Sequence, residues 1–296
     1  MALGADDIPR DVRARLQAGT AIPAHPLALT SERELDARRQ RALTRYYLDA
    51  GVGGVAVGVH TTQFAIRDHG LYEPVLRLAA ETVEDWSNEP VICVAGLIGR
   101  TDQAVREAQI TAGLGYNAGL IGLAAFKGAN EDEILEHCRR VAEEIPLFGF
   151  YLQPAVGGIP LSRDFWRRFA EIENVVAIKI APFDRYATRD VVHGVVAARA
   201  EERIALYTGN DDHIVADLLT PFTVMRDGAP VTVQIVGGLL GHWCVWTRSA
   251  VQQLERIHTA VRQGRADLDL LDLDARVTDC NGAFFDAANG FHGVIA

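Results

Sequence analysis

The segment FGFYLQPAVGGIPLSRDFWRRFAEIENVVAIKIAP, residues 148–182, decides the fold. Its two apolar runs, 147–152 and 175–180, are short and rich in β-branched and aromatic residues, which predicts two strands buried on both faces. Between them, Ser162 can cap a helix that ends before Asn174. The segment therefore predicts a strand–helix–strand unit, with Tyr151 near the end of the first strand and Lys179 near the end of the second.

The same unit recurs along most of the chain. Strand candidates begin near residues 21, 53, 91, 118, 147, 175, 204 and 231, and a helical pattern follows each of them. Their spacing of about 30 residues is that of one strand–helix repeat, and eight repeats predict an α/β fold, the (β/α)8 or TIM barrel. A doubly wound sheet is the alternative, but the nearest glycine-rich match, GVGGVA at 51–56, precedes a strand instead of following one.

The barrel and its leading helix are expected over residues 1–264, and a C-terminal helical extension packed on the barrel over residues 265–296. Residues 1–16 lack the apolar core of a signal peptide, and no apolar run approaches the roughly 18 residues of a membrane helix. The apolar ending at 291–296 suggests that the chain continues further. The four cysteines lie far apart and are typical of reduced thiols. We therefore expect a cytoplasmic protein.

The net charge argues against two classes of partner. The formal net charge is −10 at pH 7, which argues against nucleic acid and against an anionic membrane. The histidines form neither an HxH nor an HExxH pattern, so we expect no metal and no cofactor. A small molecule is therefore the expected partner.

Lysine is rare in this chain. The sequence holds 29 lysine and arginine residues, of which only Lys127 and Lys179 are lysine. Arginine provides a plain positive charge equally well, but a guanidinium stays protonated and cannot attack a carbonyl. Lys179 is therefore a candidate Schiff-base former whose pKa burial would lower. Two alternatives stay open: Lys179 could simply pair with a carboxylate, or Lys127 could be the reactive amine.

The active site of such a barrel lies at the carboxyl ends of its strands. Tyr151 and Lys179 end neighbouring strands, so the phenol could move protons to and from an imine intermediate. Thr61 and Thr62 offer hydrogen-bond donors that suit a carboxylate. The residues expected to contact the substrate at this mouth are His25, Thr61, Thr62, Phe126, Gly209, Gly237 and His242.

The strand end at 151–154, the AIK at 177–179 and the order of elements resemble the dihydrodipicolinate synthase/N-acetylneuraminate lyase superfamily. The resemblance extends from about residue 20 to about residue 265. It implies a class I aldolase or lyase on a (β/α)8 barrel, in which Lys179 forms an imine with pyruvate or another 2-oxo acid. It also implies that Tyr151 shuttles protons, and that the protein is a homo-oligomer, a dimer or a tetramer.

Three segments depart from the pattern of that superfamily. Residues 24–26 read Ala-His-Pro, where the family carries Thr-Pro-Phe after strand one. Residues 60–64 read His-Thr-Thr-Gln-Phe, where the family's carboxylate loop reads Gly-Thr-Thr-Gly-Glu. Residues 124–127 read Ala-Ala-Phe-Lys, where synthases of the family carry Pro-Tyr-Tyr. Lysine biosynthesis is therefore not the expected role. The side chains that indicate a more apolar or aromatic substrate are Phe64, Phe126, His242 and Trp243.

Three hypotheses follow for the function. The first is a Schiff-base lyase or aldolase that acts on a 2-oxo acid. The second is a catalytically silent barrel that binds a small ligand or serves as a scaffold, because part of the family's substrate site is missing. The third is a cofactor-free or metal-dependent barrel hydrolase, and the sequence shows no set of ligands for a metal.

Overall fold

The structure is a computed structural model in which residues 2–289 and Gly293 are described. The strands are β1 (Ala21–Pro23), β2 (Gly54–Val57), β3 (Ile92–Leu97), β4 (Ala118–Ile121), β5 (Leu147–Leu152), β6 (Val175–Ala181), β7 (Ala205–Thr208), β8 (Pro221–Arg226) and β9 (Ala229–Leu240). The helices are α1 (Arg10–Ala18), α2 (Ala37–Ala50), α3 (Tyr72–Trp86), α4 (Thr101–Gly113), α5 (Glu131–Ala142), α6 (Arg163–Ala170), α7 (Arg185–Ala197), α8 (Ile214–Leu219), α9 (Thr247–Gln263) and α10 (Leu268–Phe285).

Eight of these strands form a barrel. They pair in parallel in the order β1-β9-β7-β6-β5-β4-β3-β2. A parallel bridge between Ala24 and Ala56 joins the two ends of this row, so the sheet is nearly closed. The predicted (β/α)8 barrel is confirmed, and its strands begin within a residue or two of the predicted positions. None of the helices in the described part of the chain is long and apolar enough to cross a lipid bilayer.

The eighth barrel strand carries an unexpected partner. β8 pairs antiparallel with the first half of β9, from Pro221 opposite Gln234 to Arg226 opposite Ala229. Asp227 and Gly228 join the two strands with positive φ angles of 52° and 80°, as a tight hairpin turn requires. The start of β9 at Ala229 agrees with its predicted position near residue 231, and Asp227-Gly228 is a hairpin signal in the sequence that the prediction did not include.

Helix starts were predicted with mixed success. The Ser162 hydroxyl accepts a hydrogen bond from the Phe165 N–H at 3.0 Å, so this predicted cap of α6 is confirmed. Ser31 and Glu34 have the spacing of a capping box, which predicts a helix that starts at Ser31; this prediction is wrong, because α2 begins at Ala37 and Asp36 caps it. The preceding residues instead form a turn around the Thr30 hydroxyl, which accepts hydrogen bonds from two backbone N–H groups.

Side chains alternate between the interior of the barrel and the surrounding helices. On β6, Ala177 and Ala181 pack with the interior cluster, whereas Ile178 and Ile180 pack with the cluster between strands and helices. Lys179 lies between the two alanines, so the period of two directs its side chain into the barrel. This alternation places the only charged residue of β6 inside.

The amino-terminal end of the barrel is closed by α1. Val12 and Leu16 of that helix belong to the interior cluster. The Tyr207 hydroxyl, inside the barrel, donates a hydrogen bond to the Leu16 carbonyl at 2.8 Å. The interior is therefore accessible from the carboxyl ends of the strands, where Lys179 lies.

A buried ion pair fixes the segment that follows β2. The Arg67 and Glu107 side chains are 8% and 7% exposed and lie 2.8 Å apart. Arg67 also donates hydrogen bonds to the Gly58 carbonyl at 3.2 Å and to the Gly96 carbonyl at 2.8 Å. It thus joins the ends of β2 and β3 to α4, and it holds the loop that carries Thr61.

We expect the Arg67→Met variant to lose about 3–5 kcal/mol of unfolding free energy, because the Glu107 carboxylate stays buried without its cation. Urea denaturation measures the loss. The double variant Arg67→Met/Glu107→Met should recover most of it, since no unpaired charge remains. The matched control is Arg77→Met, whose partner Glu73 is 48% exposed and which should change stability far less. Equal losses in the two single variants would contradict this assignment.

Candidate active site

A cavity of about 240 Å³ opens at the carboxyl ends of the barrel strands. Its lining combines strand ends, the loops that follow them and α10. The larger apolar side chains that line it are Val59, Leu120, Phe150, Leu152, Val156, Phe183 and Phe285. The polar side chains that line it are His60, Thr61, Gln153, Lys179, Asp211, Asp212, Thr278 and Asn281. The cavity is thus mainly apolar, with a few polar groups, as is common in small-molecule sites.

The Lys179 amine lies in this cavity. Its Nζ atom is 4.5 Å from the centre of the Phe150 ring, on the strand position directly opposite Lys179. Burial lowers the pKa of Lys179 to about 8, although the nearby Asp211 carboxylate opposes this shift. No described residue forms a hydrogen bond or a close ion pair with the amine. Part of the amine is therefore neutral near neutral pH, and the neutral form is the one that can act as a nucleophile.

Asp211 is the second titratable group of the cavity, and the sequence analysis missed it. It follows β7, the strand next to β6. Burial raises the pKa of Asp211 to about 7, against the opposing effects of Lys179 and of the nearby His242 backbone N–H. Its Oδ1 atom is buried and has no hydrogen-bond partner among the described residues. The signal in the sequence was an acidic pair, Asp211 and Asp212, just beyond a strand end.

Gly209 provides the space for the lysine side chain. A Cβ at Gly209 would lie 2.4 Å from Lys179 Cε and 2.8 Å from Ala181 Cβ. Gly209, which was expected to contact the substrate, therefore makes its close contact with the lysine itself. A larger residue would displace the amine.

The C-terminal helix α10 lies against the mouth of the cavity. The Asn281 amide donates to the Asp211 carbonyl, and its Oδ1 atom is 2.8 Å from His242 Nδ1. The Thr278 hydroxyl donates to the Asp212 carbonyl at 3.1 Å. These bonds tie α10 to the loop after β7. Of the expected C-terminal extension, residues 290–292 and 294–296 lie outside the described part of the chain.

Tyr151 requires a correction, because the structure does not bring it to the Lys179 amine. It is paired with Ile180, whose side chain faces the helices, whereas Lys179 is paired with Phe150. The Tyr151 hydroxyl donates to the Leu161 carbonyl at 3.3 Å and accepts from the Leu161 N–H at 3.2 Å. Its ring centre lies 5.1 Å from that of Trp166. Phe150 occupies the position beside the lysine that the sequence analysis gave to Tyr151.

Of the two threonines in the predicted carboxylate loop, one faces the cavity and the other bonds to the backbone. Thr61 lines the cavity. The Thr62 hydroxyl instead donates to the His25 carbonyl at 2.6 Å and accepts from the Gly58 N–H at 3.0 Å, so it stabilises the loop. The His25 ring, also expected at the mouth, is buried away from the cavity and bonds to the Thr44 hydroxyl at 2.8 Å. Burial lowers the pKa of His25 to about 4, which favours its neutral form.

Three further predicted contacts also lie outside the cavity lining. Phe126 packs on the His137 ring at 4.4 Å, in the helix layer. Gly237 permits a close approach of backbones, since a Cβ there would lie 2.6 Å from the Thr20 carbonyl oxygen. His242 contributes through its backbone N–H and its bond to Asn281. Among the nine predicted site residues, the structure brings together Lys179, Thr61 and Gly209.

Metal binding finds no support in the part of the chain that the structure describes. There, no group of three or more His, Cys, Asp or Glu side chains is placed to hold a metal ion. The polar groups of the cavity suit an organic ligand instead: an amine, a carboxyl group, hydroxyls and amides around an apolar wall.

Residues 19–248 match the model of the dihydrodipicolinate synthetase family. The chain is 30% identical over 197 residues to 4-hydroxy-tetrahydrodipicolinate synthase of Methanothrix thermoacetophila, which covers 64% of this chain and 63% of that protein. It is 23% identical over 201 residues to N-acetylneuraminate lyase of Citrobacter koseri, covering 67% and 64%. The chain thus matches less than two thirds of the length of these two curated relatives.

A solved structure shows the same fold. Dihydrodipicolinate synthase from Acinetobacter baumannii, complexed with pyruvate, superposes with a TM-score of 0.73 at 18% identity, over 94% of this chain and 90% of that one. The resemblance stated from the sequence is therefore confirmed at the level of the family, whose model covers most of the barrel. The chain belongs to the dihydrodipicolinate synthetase family.

Proposed function

We propose that this protein is a class I aldolase or lyase that binds a 2-oxo acid as an imine on Lys179. The observation that carries the proposal is the position of the Lys179 amine: it lies inside the barrel, in an accessible cavity, beside an aromatic ring. The names of two relatives, a synthase and a lyase, and the pyruvate in the Acinetobacter structure support the same chemistry.

The proposed reaction starts with the neutral amine. Lys179 attacks the carbonyl carbon of the 2-oxo acid, and the resulting carbinolamine takes up a proton on its hydroxyl and loses water to give a protonated imine. Loss of a proton from the adjacent carbon then gives an enamine. The enamine can add to an aldehyde, and in the reverse direction the imine nitrogen receives the electron pair of the broken carbon–carbon bond. Condensation, cleavage and hydration or dehydration all pass through these intermediates.

The cavity offers separate surfaces to the two ends of such a substrate. Thr61 lies on the loop after β2 and can donate its hydroxyl to the carboxylate. The side chains of Leu152, Val156, Phe183 and Phe285 suit an apolar substituent. No arginine is found among the described lining residues, so a second anionic group would lack its usual partner. These features support a substrate other than that of lysine biosynthesis.

One observation favours the alternative of a silent ligand-binding barrel: the Tyr151 hydroxyl is held outside the cavity. Such a barrel would bind a small ligand without turning it over. Imine trapping separates the two functions, because a silent barrel need not form a covalent bond. Assembly into a homo-oligomer and a cytoplasmic location remain predictions.

Reductive trapping tests the proposal. Incubation with cyanoborohydride and pyruvate, 2-oxobutyrate or phenylpyruvate should add the mass of the reduced adduct to the peptide that contains Lys179. Trapping should increase as pH rises through about 8, because only the neutral amine attacks and burial places the pKa of Lys179 there.

The exposed Lys127 serves as an internal control in the same peptide map, and Lys179→Arg should abolish the adduct. A label that appears on Lys127 instead, or no label with any of the three acids, would refute the proposal.

Gly209→Ala tests the space around the amine. The added Cβ would lie 2.4 Å from Lys179 Cε, so the side chain must move, and we expect trapping to slow by roughly 10- to 100-fold. The matched control is Gly113→Ala in α4, where a Cβ would meet no atom within 4 Å. Thermal unfolding checks that both variants are folded. A wild-type trapping rate in Gly209→Ala would show that the amine does not depend on this contact.

A further inference from the structure

Imine chemistry needs a group that moves protons. The carbinolamine must lose its hydroxyl as water, and the adjacent carbon must lose a proton to give the enamine. The described residues that line the cavity include four titratable side chains: His60, Lys179, Asp211 and Asp212. The Tyr151 phenol is held on the opposite face of β5. The proton-transfer group must therefore be sought among the residues that share the cavity with Lys179.

Asp211 is the best placed of them. It comes two residues after Gly209, whose backbone lies against the Lys179 side chain. β6 and β7 are neighbours, with Lys179 opposite Tyr207, so the end of β7 brings Asp211 beside the lysine. One carboxylate oxygen of Asp211 is buried and has no hydrogen-bond partner among the described residues. A buried polar atom without a partner costs free energy, and such an atom in a cavity suits a ligand or a transferred proton.

The carboxylate of Asp211 does not bond directly to the Lys179 amine. The two groups interact electrostatically, yet no hydrogen bond or close ion pair joins them in the described structure. A small group can therefore lie between them, as a carbinolamine hydroxyl would. The neighbouring Asp212 is exposed, and the charges that act on it are mainly Arg185 and His213 rather than Lys179.

We infer that Asp211 is the proton-transfer residue of this site, an assignment that rests on the proposed imine function. Protonated Asp211 donates its proton to the carbinolamine hydroxyl, the C–O bond breaks, and water and the protonated imine form. The resulting Asp211 carboxylate then takes a proton from the carbon next to the imine, and the C–H electron pair forms the enamine double bond. Asp211 ends protonated, ready to return that proton to the enamine.

The environment of Asp211 fits both steps. Burial raises the pKa of its carboxyl to about 7, so acid and base forms are both populated near neutral pH. The Asn281 amide fixes the loop that holds Asp211 by donating a hydrogen bond to its backbone carbonyl. The nearby backbone N–H of His242 lowers the pKa of the carboxyl and so opposes the effect of burial.

The test compares Asp211→Asn with Asp212→Asn, because each variant removes one carboxylate from the same loop. The substrate is the 2-oxo acid that labels the wild type best in the trapping panel. Two quantities are measured: the adduct on Lys179 after long incubation, and the exchange of the substrate's C3 protons with D2O, followed by NMR. We expect Asp211→Asn to form the adduct but to exchange about 100-fold more slowly than wild type. Asp212→Asn should lose far less.

The outcomes separate this assignment from the function on which it rests. If the wild type forms no adduct, the imine function fails, and the role of Asp211 fails with it. If both variants trap and Asp211→Asn exchanges at the wild-type rate, or no more slowly than Asp212→Asn, only the assignment of Asp211 is overturned.

A purely electrostatic role gives a different pH profile. Removing the negative charge of Asp211 should lower the pKa of Lys179 further, and the trapping midpoint should move to lower pH. If Asp211 only tuned the amine, exchange would recover at a pH above both midpoints, and that recovery would overturn the proposal. We expect exchange in Asp211→Asn to stay low at every pH, and Asp211→Glu, which keeps a carboxyl group, to restore part of it.

Discussion

The structure depends on one costly arrangement, a lysine amine buried in an apolar barrel. Transfer of a cation out of water is unfavourable, and among the described residues only an aromatic face and one nearby carboxyl group partly offset the cost. The residues around Lys179 accommodate its long side chain: alanines at 177 and 181 on the same strand face, and Gly209 directly after the next strand. The same burial that destabilises the ammonium produces the neutral nucleophile.

The barrel and the mouth of the cavity have different origins in the chain. The family match ends at residue 248, whereas α10 spans Leu268–Phe285 and supplies Thr278, Asn281 and Phe285 to the cavity. The match therefore covers the strand that carries Lys179 but not the helix that shapes the opening. The hydrogen bonds from α10 to the loop of Asp211 connect this helix directly to the residue proposed to transfer protons.

The sequence predicted the barrel well because eight apolar runs at regular spacing leave few other folds. It also singled out Lys179, a lysine inside an apolar strand of an arginine-rich chain. It failed at Tyr151 because strands buried on both faces show no alternation of polar and apolar residues. Which face a side chain takes then depends on register, and the β5–β6 pairing shifts between Leu147 and Phe148. Spacing along the chain cannot reveal that shift, and Asp211 was overlooked because the tyrosine already filled the expected role.

The opposed pKa shifts of Asp211 and Lys179 determine the pH at which these two groups destabilise the folded state most. Asp211 has its pKa raised from 3.8 to about 7, so the folded state binds more protons in that interval and loses stability as pH rises through it. Lys179 has its pKa lowered from 10.5 to about 8, so the unfolded state binds more protons there and stability rises with pH. The two contributions are together least favourable between about pH 7 and about pH 8. This is also the range in which a neutral amine and a protonated carboxyl group coexist. The chemistry proposed for this cavity therefore requires that interactions elsewhere in the barrel offset the loss of folding stability.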